Sequence, residues 1–105
     1  MAGEIVIFIT TSNKKEALKL VDVLIKGKLA ACVNIVDKIE SYFWWQGKMD
    51  KAKEVLLVVK SKKDKFAKIV RAVKGAHSYD CPEIIAIPII SGYKPYLNWI
   101  NESIR

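Results

Sequence analysis

The chain begins with β-branched and apolar residues on both faces of a pleated strand. Residues 4–11 have the sequence Glu-Ile-Val-Ile-Phe-Ile-Thr-Thr, which predicts a central strand covered on both sides. Asn13 can cap a following helix, with Glu16 three residues further on as the second member of a capping box. Apolar residues recur at helical spacing over residues 17–25, and Gly27 is the predicted end of this helix.

Residues 29–45 are rich in β-forming side chains and make a segment much longer than an ordinary strand of about 5–6 residues. Two interpretations are open: the segment bends at residues 37–38, or it projects past the sheet as a long ribbon. Turn-forming residues occupy positions 46–51, and residues 54–60 return as an apolar third strand. The two strands therefore form a predicted β-hairpin.

The second helix is predicted to begin at Ser61, with Asp64 three residues later, and to end at Gly75. Apolar side chains lie on one face of this helix and lysines on the other. Residues 83–90 are then predicted to form an apolar fourth strand. Because Pro88 has no N–H to donate to a neighbouring strand, we expect this strand at a sheet edge or beside a bulge.

A short C-terminal helix is predicted over residues 96–103, because Pro95 suits the first position of a helix. The element order before it is βαββαβ. Two right-handed βαβ crossovers that cover one face of a four-stranded antiparallel sheet define the ferredoxin-like sandwich, an α+β fold. With 105 residues the chain has the size of one domain, and residues 1–105 are assigned to a single domain.

Consecutive aromatic residues lie in the distal part of the predicted hairpin. The first strand is also apolar on the face that the two helices do not cover, so a single copy would expose a large apolar patch. Such patches usually mark an interface. The pattern therefore predicts self-assembly through the hairpin aromatics, which are Tyr42, Phe43, Trp44 and Trp45.

The chain has a net charge of +7 and contains 18 lysine and arginine residues, of which all but two are lysine. Lysines scattered over helices, turns and strand ends favour a solvated surface over a nucleic-acid site, since base contacts favour arginine. The third strand also lacks the aromatic residues with which an RNA-recognition module of this element order stacks bases. We therefore expect no nucleic-acid partner.

Residues 1–4 lack the basic start of a signal peptide, and no apolar run approaches the roughly 20 residues that a spanning helix needs. These features predict a cytoplasmic protein with no membrane partner. Cys32 and Cys81 form no C-x-x-C pair, which disfavours both a thioredoxin-type motif and a zinc knuckle.

His77 is the single histidine of the sequence and opens its most chemically varied segment. Residues 77–83 contain an imidazole, a phenol, two carboxylates and a thiol, a set that suits copper or zinc. Their spacing matches no closed structural zinc site, and hydrogen bonds that order a loop are the alternative role. No nucleophile elbow, Walker loop or dinucleotide motif occurs, and one imidazole is available as a near-neutral base. We therefore expect no enzyme.

Four motifs follow one another along the chain. They are residues 29–34 (Leu-Ala-Ala-Cys-Val-Asn), 41–48 (Ser-Tyr-Phe-Trp-Trp-Gln-Gly-Lys), 77–84 (His-Ser-Tyr-Asp-Cys-Pro-Glu-Ile) and 96–100 (Tyr-Leu-Asn-Trp-Ile). With them the chain resembles, over nearly its full length, the CutA family of divalent-cation tolerance proteins. The resemblance implies a ferredoxin-like homotrimer related in architecture to the PII signalling proteins. It also implies copper binding and a role in metal tolerance or response.

The resemblance further implies site residues. His77, Cys32 and Glu83 match positions of the family motifs and are the predicted ligands of a weakly bound copper(II) or other divalent cation. The sequence departs from the family pattern at Ser78, where proline is usual, and at Cys81, where a small or branched residue is common. The hairpin aromatics defined above are the expected trimer interface.

A second function is open at this point: a PII-like sensor that binds an anionic metabolite at clefts between subunits, through Lys60 and neighbouring backbone groups. The residues expected to line such a pocket are Trp44, Lys60, Tyr79 and Cys81. The two hypotheses differ in the charge of the ligand, a divalent cation in one and an anion in the other. A titration would distinguish them: metal-dependent quenching of the tryptophans that is lost in His77→Ala supports the cation, and metabolite binding unaffected by a chelator supports the anion.

Overall fold

A computed structural model of the chain describes residues 3–104; Met1 and Ala2, on which part of the signal-peptide expectation depends, and Arg105 lie outside the described residues. The elements follow the predicted βαββαβ order with an additional C-terminal helix. Their bounds are β1 (Glu4–Thr11), α1 (Lys14–Lys26), β2 (Cys32–Trp45), β3 (Lys48–Lys62), α2 (Phe66–Ala76), β4 (Ile84–Pro88) and α3 (Lys94–Ser103).

The strands form an antiparallel sheet in the order β2-β3-β1-β4. β1 is central, with Ile7 opposite Val59 of β3 on one side and Ala86 of β4 on the other. This strand order confirms the predicted ferredoxin-like α+β fold. Helices α1 and α2 cover one face of the sheet, where the core contains Ile5, Ile7, Ile9, Ala17, Leu20, Leu24, Val55, Leu57, Val59, Ile69 and Val73.

Both predicted ends of α1 are confirmed. The Asn13 side chain accepts a hydrogen bond of 2.8 Å from the backbone N–H of Glu16, which satisfies one of the free donors in the first turn. Gly27 follows the helix, and its N–H donates to the Val23 carbonyl at 3.1 Å. Lys28 then adopts a positive φ of 58°, which turns the chain towards β2.

The β2–β3 hairpin combines both interpretations of its sequence, because it bends and also extends far beyond the helices. The register shifts between Val36 and Ile39, where Lys38 has a φ of 60°. Gln46 and Gly47 alone form the turn, with φ values of 51° and 79°. Two positive φ angles are typical of the tight two-residue turn that matches strand twist, so β3 begins earlier than the predicted loop over 46–51 allowed.

The predicted start of the second helix is wrong. Ser61 lies within β3, and its hydroxyl donates to the Leu29 carbonyl at 2.6 Å instead of capping a helix. A short 3₁₀ turn over Lys63–Lys65 follows, and α2 begins at Phe66. The helix also continues through Gly75 to Ala76, one residue past the predicted end.

β4 is shorter than the predicted strand over 83–90, and it is an edge strand as the proline indicated. Pro88 is its last residue and lies opposite Ile5, on the one side where β4 has a neighbour. The C-terminal helix α3 begins at Lys94, with Pro95 in its first turn as expected. Within residues 3–104, no helix has both the length and the apolar character needed to cross a membrane.

The hairpin end carries its aromatic side chains in the open. Trp44 is 78% exposed and Trp45 60% exposed. Large apolar side chains of β4 and α3, among them Ile85, Ile87 and Trp99, are also between 42% and 51% exposed. A single copy of the chain therefore presents the large apolar surface that the sequence predicted.

Candidate functional site

A cavity of about 580 Å³ lies between the distal part of the hairpin and the loop that precedes β4. This volume falls within the range of sites that bind small molecules. We call it the hairpin cavity. It is lined by Thr10, Phe43, Trp45, Asp50, Ala52, Glu54, Tyr79, Asp80, Cys81 and Glu83.

Strand alternation selects which hairpin residues reach the cavity. Phe43 and Trp45 are two positions apart on β2 and point to the same face, whereas Trp44 points to the opposite face. Asp50 pairs directly with Phe43, so its carboxylate shares that face. Glu54 lies four residues further along β3 and again has the same orientation. The hairpin thus contributes both aromatic rings and carboxylates to one wall.

Tyr79 and Glu54 join the two walls of the cavity. The Tyr79 hydroxyl donates a hydrogen bond of 2.8 Å to Oε2 of Glu54, which is 9% exposed. Burial, together with this hydrogen bond and the negative charge of Glu54, raises the pKa of the Tyr79 phenol above its ordinary value. The phenol is therefore protonated at neutral pH and acts as a donor to the carboxylate.

Glu83 lies in the same cavity, immediately before β4. Partial burial of its carboxyl group, and then the neighbouring negative charge of Glu54, raise the pKa of Glu83. The carboxylates of the hairpin cavity thus repel one another, and a positive ligand would reduce that repulsion.

His77 lies behind the cavity, and hydrogen bonds occupy both of its ring nitrogens. Nε2 is 2.8 Å from the Thr10 carbonyl oxygen, which can only accept, so this nitrogen carries the proton. Nδ1 accepts a hydrogen bond of 3.0 Å from the backbone N–H of Tyr79. The side chain is fully buried. In this arrangement neither ring nitrogen presents a free lone pair to a metal ion.

Glu16 of α1 holds the same loop from the other side. Its carboxylate accepts hydrogen bonds from the backbone N–H groups of Ser78 at 3.1 Å and Ser12 at 3.4 Å, and it lies 3.8 Å from Nδ1 of His77. Burial alone would raise the pKa of Glu16, but the hydrogen bonds from Ser78 and Ser12 and the proximity of His77 lower it overall. These bonds order the loop that carries Tyr79.

Cys32 lies elsewhere, at the start of β2. Its thiol is 3.8 Å from Oδ1 of Asn34. Burial of the Tyr96 phenol, and then the nearby Cys32 sulfur, raise the pKa of Tyr96. Lys60 is directly opposite Cys32 on β3, and its ammonium group donates to the Asn34 side chain. Neither Cys32 nor Lys60 lines the hairpin cavity.

The structure therefore brings together part of the predicted set. Tyr79, Cys81 and Glu83 line one cavity, while Cys32 and Lys60 lie apart from it and His77 lies behind it. Trp45 faces the cavity in place of Trp44. Within the described range 3–104, no three side chains of histidine, cysteine, aspartate or glutamate are grouped as metal ligands.

Sequence reasoning did not single out Asp50 and Glu54 for this site. Glu54 precedes the apolar part of β3, where a charged side chain is unusual. That position was a usable signal, but the assignment of both carboxylates to one cavity required the hairpin register.

The fold and the cavity define a class: ferredoxin-like proteins with an extended hairpin and an acidic, aromatic cavity beside it. Comparison with known proteins gives the family. The profile of the family described as CutA1 divalent ion tolerance protein matches residues 5–103. The divalent-cation tolerance protein CutA of Archaeoglobus fulgidus is 46% identical over 99 residues, which cover 94% of this chain and 96% of that protein.

A rice protein, chloroplastic CutA 1, is 44% identical over 101 residues, and the match covers 96% of this chain but 57% of the rice protein. The crystal structure of CutA1 from Oryza sativa superposes with a TM-score of 0.95 at 42% identity, covering 99% of this chain and 95% of that one. The Cut A1 structure from Thermus thermophilus also has a TM-score of 0.95, at 39% identity, covering 97% and 99% of the two chains. The chain belongs to the CutA1 divalent ion tolerance protein family.

Proposed function

We propose that the protein is a homotrimeric, non-catalytic binding protein for copper(II) or another divalent cation, and that it acts in metal tolerance or response. The observation that carries this proposal is the charge of the hairpin cavity. Four carboxylates and one thiol line it, with no lysine or arginine among the lining residues, although the chain has a net charge of +7. Carboxylate and thiolate groups together suit transition-metal ions.

The proposed ligands within the cavity are Glu83, Glu54 and Cys81. Within the described part of the chain, no three histidine, cysteine, aspartate or glutamate side chains lie close enough together to hold a metal ion. One copy would therefore hold the ion weakly, and the loop or a neighbouring copy would supply the remaining donors. Among the ligands predicted from the sequence, Glu83 keeps that role. His77 positions the loop, and Cys32 would belong to a separate site.

The alternative, a sensor of an anionic metabolite, has less support. Lys60 does not line the cavity, and its ammonium group already donates to Asn34. An anion in the cavity would face Asp50, Glu54 and Glu83 without a basic side chain among the lining residues. Coulomb repulsion therefore favours the cation over the anion.

The trimer is part of the proposal. Its support is the exposed apolar surface of the hairpin, β4 and α3, together with the open edge of β4 at Ile85 and Ile87. The number of copies comes from the resemblance to the family. The cytoplasmic location is likewise proposed from the residues; relatives carry names that place them in the chloroplast or the periplasm.

Calorimetric titration with Cu²⁺, Ni²⁺ and Co²⁺ tests the metal proposal. Copper should bind most tightly, following the Irving–Williams order. Glu83→Gln and Cys81→Ser should each weaken copper binding, whereas Cys32→Ser is the matched thiol control outside the cavity and should leave it unchanged. Because the pKa of Glu83 is raised, protons should compete with the metal at a higher pH than for an ordinary glutamate. Equal copper affinity in all three variants would contradict the assignment to this cavity.

A further inference from the structure

The hairpin cavity has an aromatic wall that a hydrated metal ion would not need. The rings of Phe43, Trp45 and Tyr79 line it beside the carboxylates of Glu54 and Glu83. We propose that this cavity binds small aliphatic diammonium ions, whose charged ends meet the carboxylates and whose carbon chain lies against the rings. The site is the one proposed above for metal, but the diammonium ion would occupy it without any metal.

The charge distribution selects a cation. None of the lining residues is lysine or arginine, so every formally charged lining side chain is a carboxylate. Glu54 is nine-tenths buried. Among residues 3–104, Tyr79 is the side chain that donates a hydrogen bond to this carboxylate, from its hydroxyl to Oε2 of Glu54. The second oxygen of this carboxylate is available to an N–H donor of a ligand.

The aromatic rings select a cation that is organic. An alkylammonium group is attracted to the face of a tryptophan or tyrosine ring, and its methylene groups bury apolar surface there. In a single copy Trp45 and Phe43 are 60% and 39% exposed, and the inference requires that part of each ring stays open to the cavity in the assembled protein. Trp44, on the opposite face of the same strand, is outside the cavity.

Ligands that share a five-carbon chain and differ in charge test the requirement for positive charge separately from the requirement for an apolar chain. We would titrate the intact protein by calorimetry with 1,5-diaminopentane, 1,5-pentanediol and glutarate, in low-salt buffer freed of metal on a chelating resin. The diamine should bind, the neutral diol should bind at least about tenfold more weakly than the diamine, and the dianion should not bind. Equal binding of the diamine and the diol, or preferential binding of glutarate, would overturn the proposal.

Adjacent tryptophans supply the matched variants. Trp45→Ala should weaken diamine binding about twofold to fivefold, while Trp45→Phe should retain most of it, since the ring is kept. Trp44→Ala should leave binding unchanged. Glu83→Gln should weaken it by about twofold to fivefold. Circular dichroism would establish that each variant is folded, and an equal loss in Trp44→Ala and Trp45→Ala would overturn the assignment.

The same titrations distinguish this inference from the metal proposal. Copper binding without diamine binding would overturn the diammonium site and leave the metal proposal standing. Diamine binding without copper binding would support this inference and contradict the metal proposal. An absence of diamine binding to the intact protein would overturn the inference.

Discussion

The hydroxyl of Tyr79 donates a 2.8 Å hydrogen bond to the carboxylate of Glu54, joining the loop before β4 to the middle of β3. These two residues are 25 positions apart in the sequence. Because Glu54 is largely buried, its charge depends on this donor for compensation. The bond therefore fixes the distance between the two walls of the hairpin cavity.

Removal of that donor should destabilise the protein. Tyr79→Phe should lower the free energy of unfolding by about 1.5–3 kcal/mol, the range for hydrogen bonds to charged groups, because a buried carboxylate loses its partner. Urea unfolding at one fixed protein concentration measures the change. Tyr93→Phe is the control, since Tyr93 is 78% exposed. Equal midpoints for the two variants would show that the bond contributes no stability.

Glu83 should oppose folding at neutral pH. Its pKa is raised in the fold, so the folded state binds a proton more readily than the unfolded state, and stability is lost as pH rises through the raised value. Glu83→Gln should therefore be more stable than the native protein at pH 7 and equal to it at acidic pH below both pKa values. Unfolding curves between pH 3 and 8 in the presence of a chelator measure this difference. A constant difference across that range would contradict the prediction.

Glu16 should have the opposite pH dependence. Its pKa is lowered in the fold from 4.5, so the charged carboxylate stabilises the protein above that unfolded value, and this contribution is lost as the pH falls through the lowered value. Glu16→Gln should be less stable than the native protein at pH 7 and should lose less stability on acidification. Thermal unfolding at a series of pH values provides the comparison. Parallel pH profiles would argue against a role for this charge.

Much of the fold follows from local sequence patterns. The apolar faces of β1 required a central strand, and Asn13 capped α1 as its side chain indicated. The error at Ser61 has a physical cause: its hydroxyl bonds to the Leu29 carbonyl, a partner 32 residues away. A short-range capping pattern could not reveal that long-range hydrogen bond.

The candidate site was only partly predictable for a similar reason. Tyr79, Cys81 and Glu83 lie close together in the sequence, so a single loop brings them to the cavity. Glu54 and Asp50 reach it through the register of a hairpin whose bulge and turn fix the face of every residue. The role of His77 in holding the loop depends on the Thr10 carbonyl, which is 67 residues away.

Substitutions of His77 should separate its two hydrogen bonds. Glutamine can still donate to Thr10, and asparagine can still accept from the Tyr79 N–H, whereas alanine can do neither. We expect His77→Ala to lose about 2–4 kcal/mol of stability and the two amide variants to lose less. Hydrogen exchange at the Tyr79 amide should accelerate in His77→Gln more than in His77→Asn. Equal exchange rates in these variants would contradict the proposed role.

The exposed end of the hairpin should be buried when copies of the chain assemble. Trp44 and Trp45 leave 78% and 60% of their surfaces in water in a single copy. An isolated two-stranded ribbon is marginally stable. Burial of these rings represents on the order of 5–9 kcal/mol of gross hydrophobic free energy before ordering costs. We therefore expect a native mass near three times 11.9 kDa by sedimentation equilibrium.

Charge placed on that hairpin surface should dissociate the trimer. In the Trp44→Lys/Trp45→Lys double variant, apolar burial is lost and six ammonium groups are brought close together in the trimer, so the mass should fall towards that of one chain. Leu18→Lys is the matched control, because Leu18 is a 51% exposed apolar residue of α1, on the helical side of the sheet. Its trimer should persist. A native mass near 11.9 kDa, or an intact trimer in the double variant, would show that the hairpin aromatics do not hold the assembly together.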